Sequence, residues 1–153
     1  YYEWQDSGGR KRPFFIHRRD GRPVGFAALA ETWMGPNGEE MDTVAIVTAP
    51  ASRDLAVLHH RVPVTIAPDD FERWLDGRAH DADDIMPLLT GPREGEFAWH
   101  EISTRVNRVA NDDAQLLLPI SEEERAAEAP KPKKTAVRKV VSAPEDEGQG
   151  SLF

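Results

Sequence analysis

The 153-residue sequence contains no cysteine. This excludes a disulfide framework, a thiolate metal site and a thiol nucleophile within the chain. It is compatible with a reducing cytoplasm. No apolar run is long enough to cross a bilayer and no signal-peptide pattern is visible, so no membrane partner is expected. Positive charge is scarce: 19 Lys and Arg face 27 Asp and Glu, a net charge of −8. That balance argues against a protein that coats nucleic acid broadly. The deficit lies in the body of the chain. Residues 121–153 hold seven acids and six bases, leaving 20 acids and 13 bases for the first 120. A body that binds DNA must therefore use a local basic groove against an unfavourable field. Asp69-Asp70, Asp81–Asp84 and Asp112-Asp113 read as solvated loops and helix starts.

Strands and turns dominate the first two thirds. Phe14–Arg18 and Val24–Leu29 flank Asp20-Gly21, a hairpin signal because type I′ turns need positive φ. Pro36-Asn37-Gly38 marks a second turn. It leads into Thr43–Thr48, a β-branched run that reads as a buried strand. Arg61–Ile66 is a short strand whose proline places it at an edge or a start. A helix is predicted from Pro68, with acids in its first turn, Phe71, Trp74 and Leu75 on one face, and Gly77 as the stop. Asp84–Leu89 is a shorter helical piece interrupted by Pro87, and Phe97–Ile102 alternates like a strand. Glu122–Ala129 suits a turn or two of helix. Pro130–Gly150 is rich in Ala, Pro, Lys and Glu without apolar periodicity, the composition of disorder. Its basic block, Lys131 to Lys139, reads either as a solubilising tail or as a weak nucleic-acid contact.

Two segments carry chemistry. The first is Tyr1-Tyr2-Glu3-Trp4-Gln5, a carboxylate inside an aromatic, strand-like run. Bulky rings desolvate Glu3 and make it an acid/base candidate; the alternative is a structural pair with Arg10 or Arg12. A chain that starts inside such a strand is expected to lack its own beginning. The second is Leu58-His59-His60-Arg61-Val62-Pro63. Adjacent histidines on an extended segment point to opposite faces, so they do not share a metal, whereas His59 and Arg61 share a face. Arginine grips a phosphate while histidine transfers protons. His80 with Asp81, Asp83 and Asp84 is a weaker metal idea, and no metal or cofactor is expected. Ser103 and Asn107 read as capping or turn residues. The four tryptophans read mostly as core, with base stacking as the alternative.

Taken together, Tyr2-Glu3-Trp4, Thr48-Ala49-Pro50-Ala51, His59-x-Arg61-Val62-Pro63 and Ile102-Ser103-x-x-Val106-Asn107 resemble, in order and spacing, the SRAP family of abasic-site processing proteins. Val62 stands where the family usually has methionine. The resemblance covers Tyr1 to about Ile120. It implies an α+β domain, mainly antiparallel sheet, over residues 1–120, followed by a tail over 121–153. It implies binding of single-stranded DNA at abasic sites and, in the family, a thiazolidine crosslink made by an N-terminal cysteine that autoproteolysis exposes. Carried over residue by residue, Glu3 and His59 match the catalytic glutamate and histidine, Arg61 a phosphate-gripping arginine and Thr48 a threonine near the lesion. The family's cysteine and its asparagine partner lie upstream of the Tyr-Glu-Trp motif. The chain as given therefore cannot form the thiazolidine. It is expected to be either a fragment of a longer product, which the intact motif favours, or a degenerate copy limited to binding DNA. The implied setting is the bacterial cytoplasm, beside the nucleoid.

The chain ends Gln149-Gly150-Ser151-Leu152-Phe153. An apolar pair closing a polar tail resembles the bacterial sliding-clamp-binding peptide, in which glutamine makes polar contacts and Leu152 and Phe153 would fill an apolar pocket. The clamp is thus a second expected partner, after abasic single-stranded DNA.

Overall fold

The computed structural model describes residues 1–129; the basic block and the clamp-type peptide at Gln149, Leu152 and Phe153 lie outside the described residues. Among the described residues nine strands dominate: β1 (Tyr2–Ser7), β2 (Arg10–Arg18), β3 (Gly25–Phe26), β4 (Ala28–Met34), β5 (Glu40–Ile46), β6 (Thr48–Pro50), β7 (Arg61–Pro63), β8 (Thr65–Ile66) and β9 (Phe97–Glu101). Three short α-helices, α1 (Phe71–Leu75), α2 (Ala82–Ile85) and α3 (Glu122–Ala127), interrupt or follow them. All the pairings are antiparallel, in agreement with the expected α+β class.

The first sheet has the order β1-β2-β9. Gly8 (φ 64°) and Gly9 (φ 84°) form the two-residue turn that closes β1 onto β2, with Ser7 opposite Arg10. Both turn positions need positive φ, which glycine adopts without a Cβ clash. Asp20-Gly21, by contrast, is not a hairpin. Gly21 turns the chain (φ 69°), but β2 pairs with β1 and β9, while β3 pairs with β8. The long-range partner Phe97–Glu101 outcompetes the local one. Alternation on this sheet sends Phe14, Ile16 and Phe97 onto Leu55, Leu58 and Val62, the main core cluster.

The middle of the chain is built around a three-way junction. Ala27 donates to the Val64 carbonyl, Val64 to that of Val47, and Val47 to that of Ala27, each at 2.9 Å. Each residue stands at a break between two strands: Ala27 between β3 and β4, Val47 between β5 and β6, Val64 between β7 and β8. Three arms radiate from this ring: β3-β8, β4-β5 and β6-β7. Ala27 is fully buried at the centre, where a larger side chain has no room. Ala49, Val64 and Ile66 complete a second core cluster, covered by Trp74 of α1 and by Leu88 and Leu89.

The ribbon β4-β5 is exposed. Val44 and Ile46 keep more than half of their surface in solvent, so the expected burial of Thr43–Thr48 does not hold in the described structure. Trp33 and Trp99 are likewise exposed rather than core. The predicted helix at 68–75 is present as a 3-10 turn (Pro68–Asp70) running into α1, although Leu75 faces solvent. A capping box between Ser121 and Glu124 starts α3. Residues beyond 120 are tied to the sheet through Arg125–Glu101 (2.9 Å) and Ser103–Glu128 (2.7 Å).

Candidate active site

Glu3 lies on the core-facing side of β1, opposite Phe14, where it is half-buried. Neighbouring burial is felt at Tyr1, whose ring meets Phe26 and Phe97 edge-on. Burial, and secondarily the negative charge of Glu3, pushes the Tyr1 phenol up to about 12. A carboxylate at such a place is weakly screened, which strengthens its interaction with any cation brought alongside.

Its partner comes from the segment after β6. Residues 52–58 are wound into successive turns: Ala56 donates to Ser52 (2.8 Å), Leu58 to Leu55 (2.9 Å) and His59 to Leu55 (3.2 Å). Leu55 and Leu58 plug the main core and hold the turns down. Two side chains pin the outside. Gln5 Nε2 donates to the Val57 carbonyl at 2.7 Å, and Asp54 accepts from the Gly95 amide at 2.8 Å. The result places His59 Nδ1 4.0 Å from Glu3 Oε2. The same Nδ1 accepts from the Arg61 amide (3.2 Å) and lies 2.9 Å from the Arg61 carbonyl. A bare Nδ1 suits the amide and a protonated one suits the carbonyl, so the ring has a backbone partner in either state.

The extended geometry expected for the histidine pair is corrected. The rings of His59 and His60 lie side by side, 4.4 Å apart and tilted by 40°, because the preceding turns, not a strand, deliver them. Among the described residues no three His, Asp or Glu side chains gather to hold a metal; the His80 ring lies 3.7 Å from Asp84.

Arg61 opens β7 and Thr48 opens β6, next to the junction residue Val47. Arg61 Nε donates to Thr48 Oγ1 at 2.8 Å, and an Nη donates to the Thr48 carbonyl. These bonds fix the plane of an exposed guanidinium that has five donors in all. The structure thus brings Glu3, His59, Arg61 and Thr48 into one neighbourhood, with Thr48 orienting the arginine. Glu3 does not pair with Arg10 or Arg12; these meet Glu128 and Glu101 respectively.

Sequence reasoning overlooked Gln5, although it directly follows the Tyr-Glu-Trp motif. It read Asn107 as a turn residue; its Oδ1 also accepts from Trp4 Nε1 at 2.9 Å, tying the fourth motif to the first. Ser103 does cap the following turn, accepting from Arg105. The site is an open surface. A large cleft of about 670 Å³ lies elsewhere, between Arg18, Arg22, Pro68, Pro87 and Arg93, and none of the four site residues lines it.

Comparison with known proteins agrees with the motif order. The family model for SOS response associated peptidase (SRAP) matches residues 1–109. The abasic site processing protein YedK of Escherichia coli is 34% identical over 122 residues, covering 78% of this chain and 54% of that protein. The abasic site processing protein HMCES of Gallus gallus is 34% identical over 140 residues, covering 78% and 41%. A solved structure from Bacteroides thetaiotaomicron shares the fold with a TM-score of 0.70 at 22% identity, over 79% of this chain and 53% of that one. The chain spans about half the length, or less, of these relatives. On the strength of the matched domain, the chain belongs to the SRAP family.

Proposed function

We propose that this chain supplies the proton-transfer and phosphate-gripping part of a site that processes abasic lesions in single-stranded DNA. The observation that carries the reading is the approach of Glu3 to His59, with Arg61 held beside them by Thr48. Arg61 takes a backbone phosphate, and its fixed plane favours bidentate contact. The ring-opened lesion presents an aldehyde. In the chemistry that the family resemblance implies, an N-terminal amine adds to that carbon and water leaves as an imine forms. The thiol of the same cysteine then adds to the imine carbon, its proton passing to nitrogen, and closes a thiazolidine. Glu3 takes a proton from the ammonium, which makes the amine nucleophilic, and His59 protonates the carbinolamine hydroxyl that leaves as water; in reversal the same His59 takes a proton from the water that adds back to the imine carbon. The cysteine is not in this sequence, so this chemistry belongs to a protein of the relatives' length.

Crosslinking to an abasic single-stranded oligonucleotide tests these roles in the chain extended to that length. Glu3→Ala should slow crosslink formation and His59→Ala its reversal, each by about 100-fold or more. Unaltered formation and reversal in both variants refute the assignment. Arg61→Ala should weaken binding of the 153-residue chain itself to the same DNA and lower its salt slope by about one.

The absence of cysteine favours a second reading, a binding remnant without chemistry. Reversible DNA binding that never becomes covalent, even in the extended protein, selects it. We further propose that Gln149, Leu152 and Phe153 dock on a sliding clamp, which would bring the protein to forks where single strands arise. Pull-down by the clamp should be lost when the chain stops before Leu152; unchanged capture removes the idea.

A further inference from the structure

Asp54 stands where an apolar residue would be cheaper to bury. It is half-buried among the turns at 52–58. Its Oδ1, and the Oγ of Ser52 two residues before it, are buried with no hydrogen-bond partner among the described residues. Such atoms lower stability, and departures of this kind gather at functional positions. The other oxygen reaches across the fold, where Oδ2 accepts from the Gly95 amide at 2.8 Å.

The anchor at Gly95 is stiff. Glu96 closes the turn 93–96 twice: its amide donates to the Arg93 carbonyl and its carboxylate accepts from the Arg93 amide, each at 3.1 Å. The same carboxylate accepts from the Arg18 side chain (3.1 Å), and the Glu96 carbonyl accepts from the Arg19 amide (3.1 Å), which ties the turn to the end of β2. Phe97 follows directly and is buried in the main core. From Asp54 the path to His59 is equally short. The Leu55 and Ala56 amides donate to the Ser52 carbonyl (3.1 and 2.8 Å), and the Leu58 and His59 amides donate to the Leu55 carbonyl (2.9 and 3.2 Å). Asp54 lies between those two acceptors. Leu55 and Leu58 set how deep the turns sit, but apolar contacts are non-directional and leave rotation and sliding open. A hydrogen bond is directional and closes them.

We propose that Asp54 is a positioning residue for His59: bonded to the Gly95 amide, it locks the turns at 52–58 against the fixed turn before β9 and so holds the His59 ring at its distance from Glu3. That distance, 4.0 Å from Nδ1 to Oε2, is the quantity at stake, since a misplacement of about 1 Å can slow a reaction by about 100-fold. The inference rests on the proton-transfer role proposed for His59. Orientation, not stability, is what the carboxylate contributes.

Stability and chemistry should therefore separate. In the 153-residue chain, Asp54→Ala should move the melting temperature by less than about 3 °C. The unpaired Oδ1 disappears, and the Gly95 amide, whose bond is open to solvent, turns to water. Amide exchange at Leu58 and His59 should quicken by about tenfold while Phe14 and Ile16 stay protected. In the chain extended to the relatives' length, Asp54→Ala should slow reversal of the crosslink to an abasic single-stranded oligonucleotide by about tenfold and leave binding of that oligonucleotide unaltered. Asp54→Asn keeps an acceptor for the Gly95 amide and should restore most of the rate. In a His59→Ala background the effect of Asp54→Ala should vanish, because a residue that acts through His59 has nothing left to position. A collapse of the melting temperature in Asp54→Ala makes the carboxylate an ordinary structural group and overturns the proposal. So does a loss of rate that adds in full to that of His59→Ala, or an Asp54→Asn variant no better than Asp54→Ala. Reversal slowed by His59→Ala but untouched by Asp54→Ala sinks this inference alone. Reversal untouched by His59→Ala, or no crosslink at all, removes the role assigned to His59 and this inference with it.

Discussion

The β1-β2-β9 sheet and the β4-β5 ribbon are built from similar material and end in opposite environments. The sheet buries Phe14, Ile16 and Phe97 to 5% exposure or less, against Leu55, Leu58 and Val62. The ribbon carries Thr43–Ile46, richer in β-branched residues than β2, and leaves Val44 69% exposed. A strand's composition therefore states its capacity for burial, while the burial itself depends on what packs over it. In the sheet the cover is local to this chain. The turns at 52–58 lay two leucines on it, and the same turns deliver His59 to Glu3, so core and candidate site share one support.

The sharpest way to break this contrast is to truncate one residue in each region. Phe97 is 2% exposed, and Phe97→Ala removes most of a ring from the centre of the main cluster. It should cost about 3–5 kcal/mol in urea unfolding. Val44→Thr on the ribbon should stay within about 0.5 kcal/mol. Equal losses at the two positions would mean that the ribbon is packed in solution and that the contrast is unreal.

Much of the fold was legible where local rules act alone. The turn at Pro36–Gly38, the helix start at Pro68 with its acids, the strand at Phe97 and the turn or two of helix from Glu122 all follow from residue types within a few positions. The rest depended on distant partners. The Asp20-Gly21 signal reads as a hairpin because its flanks look like strands, yet Phe14 pairs with Glu101 and Glu3, not with the next segment. The Gly8-Gly9 turn, which meets the stricter demand of two positive-φ positions, has no run of β-branched residues beside it to mark it as a hairpin. For the site, motif order placed Glu3, Thr48, His59 and Arg61 together, but not their geometry. His59 reaches Glu3 because residues 52–58 coil, and nothing in that stretch has the periodicity of a regular element. Gln5 was invisible for a simpler reason: a glutamine beside a motif has no pattern until its acceptor, Val57, is seen.

A second test compares how the sheet is held at its outer corner with how it is held at its core. Glu101 accepts from both guanidinium nitrogens that Arg12 presents and pairs with Arg125 at 2.9 Å. The Arg12 hydrogen bonds, offset by some desolvation, hold the Glu101 carboxyl below its ordinary value of 4.5. A depressed folded-state value means that the contribution is fully present above the unfolded value and disappears as pH falls through the folded one. Glu101→Gln should therefore lower stability by about 2 kcal/mol at neutral pH. The gap to the unaltered protein should narrow steadily below about pH 4.5. A gap that is constant or widens on acidification would show that the pair contributes through shape rather than charge.

The smallest expected effect concerns the link between sheet and site. Gln5 lies on the same face of β1 as Glu3, and its one described side-chain bond runs to Val57, two residues before His59. A hydrogen bond of this kind, partly open to water, contributes about 0.5–1.5 kcal/mol, and Gln5→Ala should fall at the low end because water replaces the lost donor. Its local consequence is larger than its global one. The turns at 52–58 would remain plugged by Leu55 and Leu58 but lose their tether to the strand that carries Glu3. Amide exchange at Leu58 and His59 should then accelerate while Phe14 and Ile16 in β2 stay protected. If β2 loosens equally, the bond is part of the general scaffold. If neither segment changes, the leucine plugs alone fix the distance between His59 and Glu3, and the sheet needs no polar tether to hold its site.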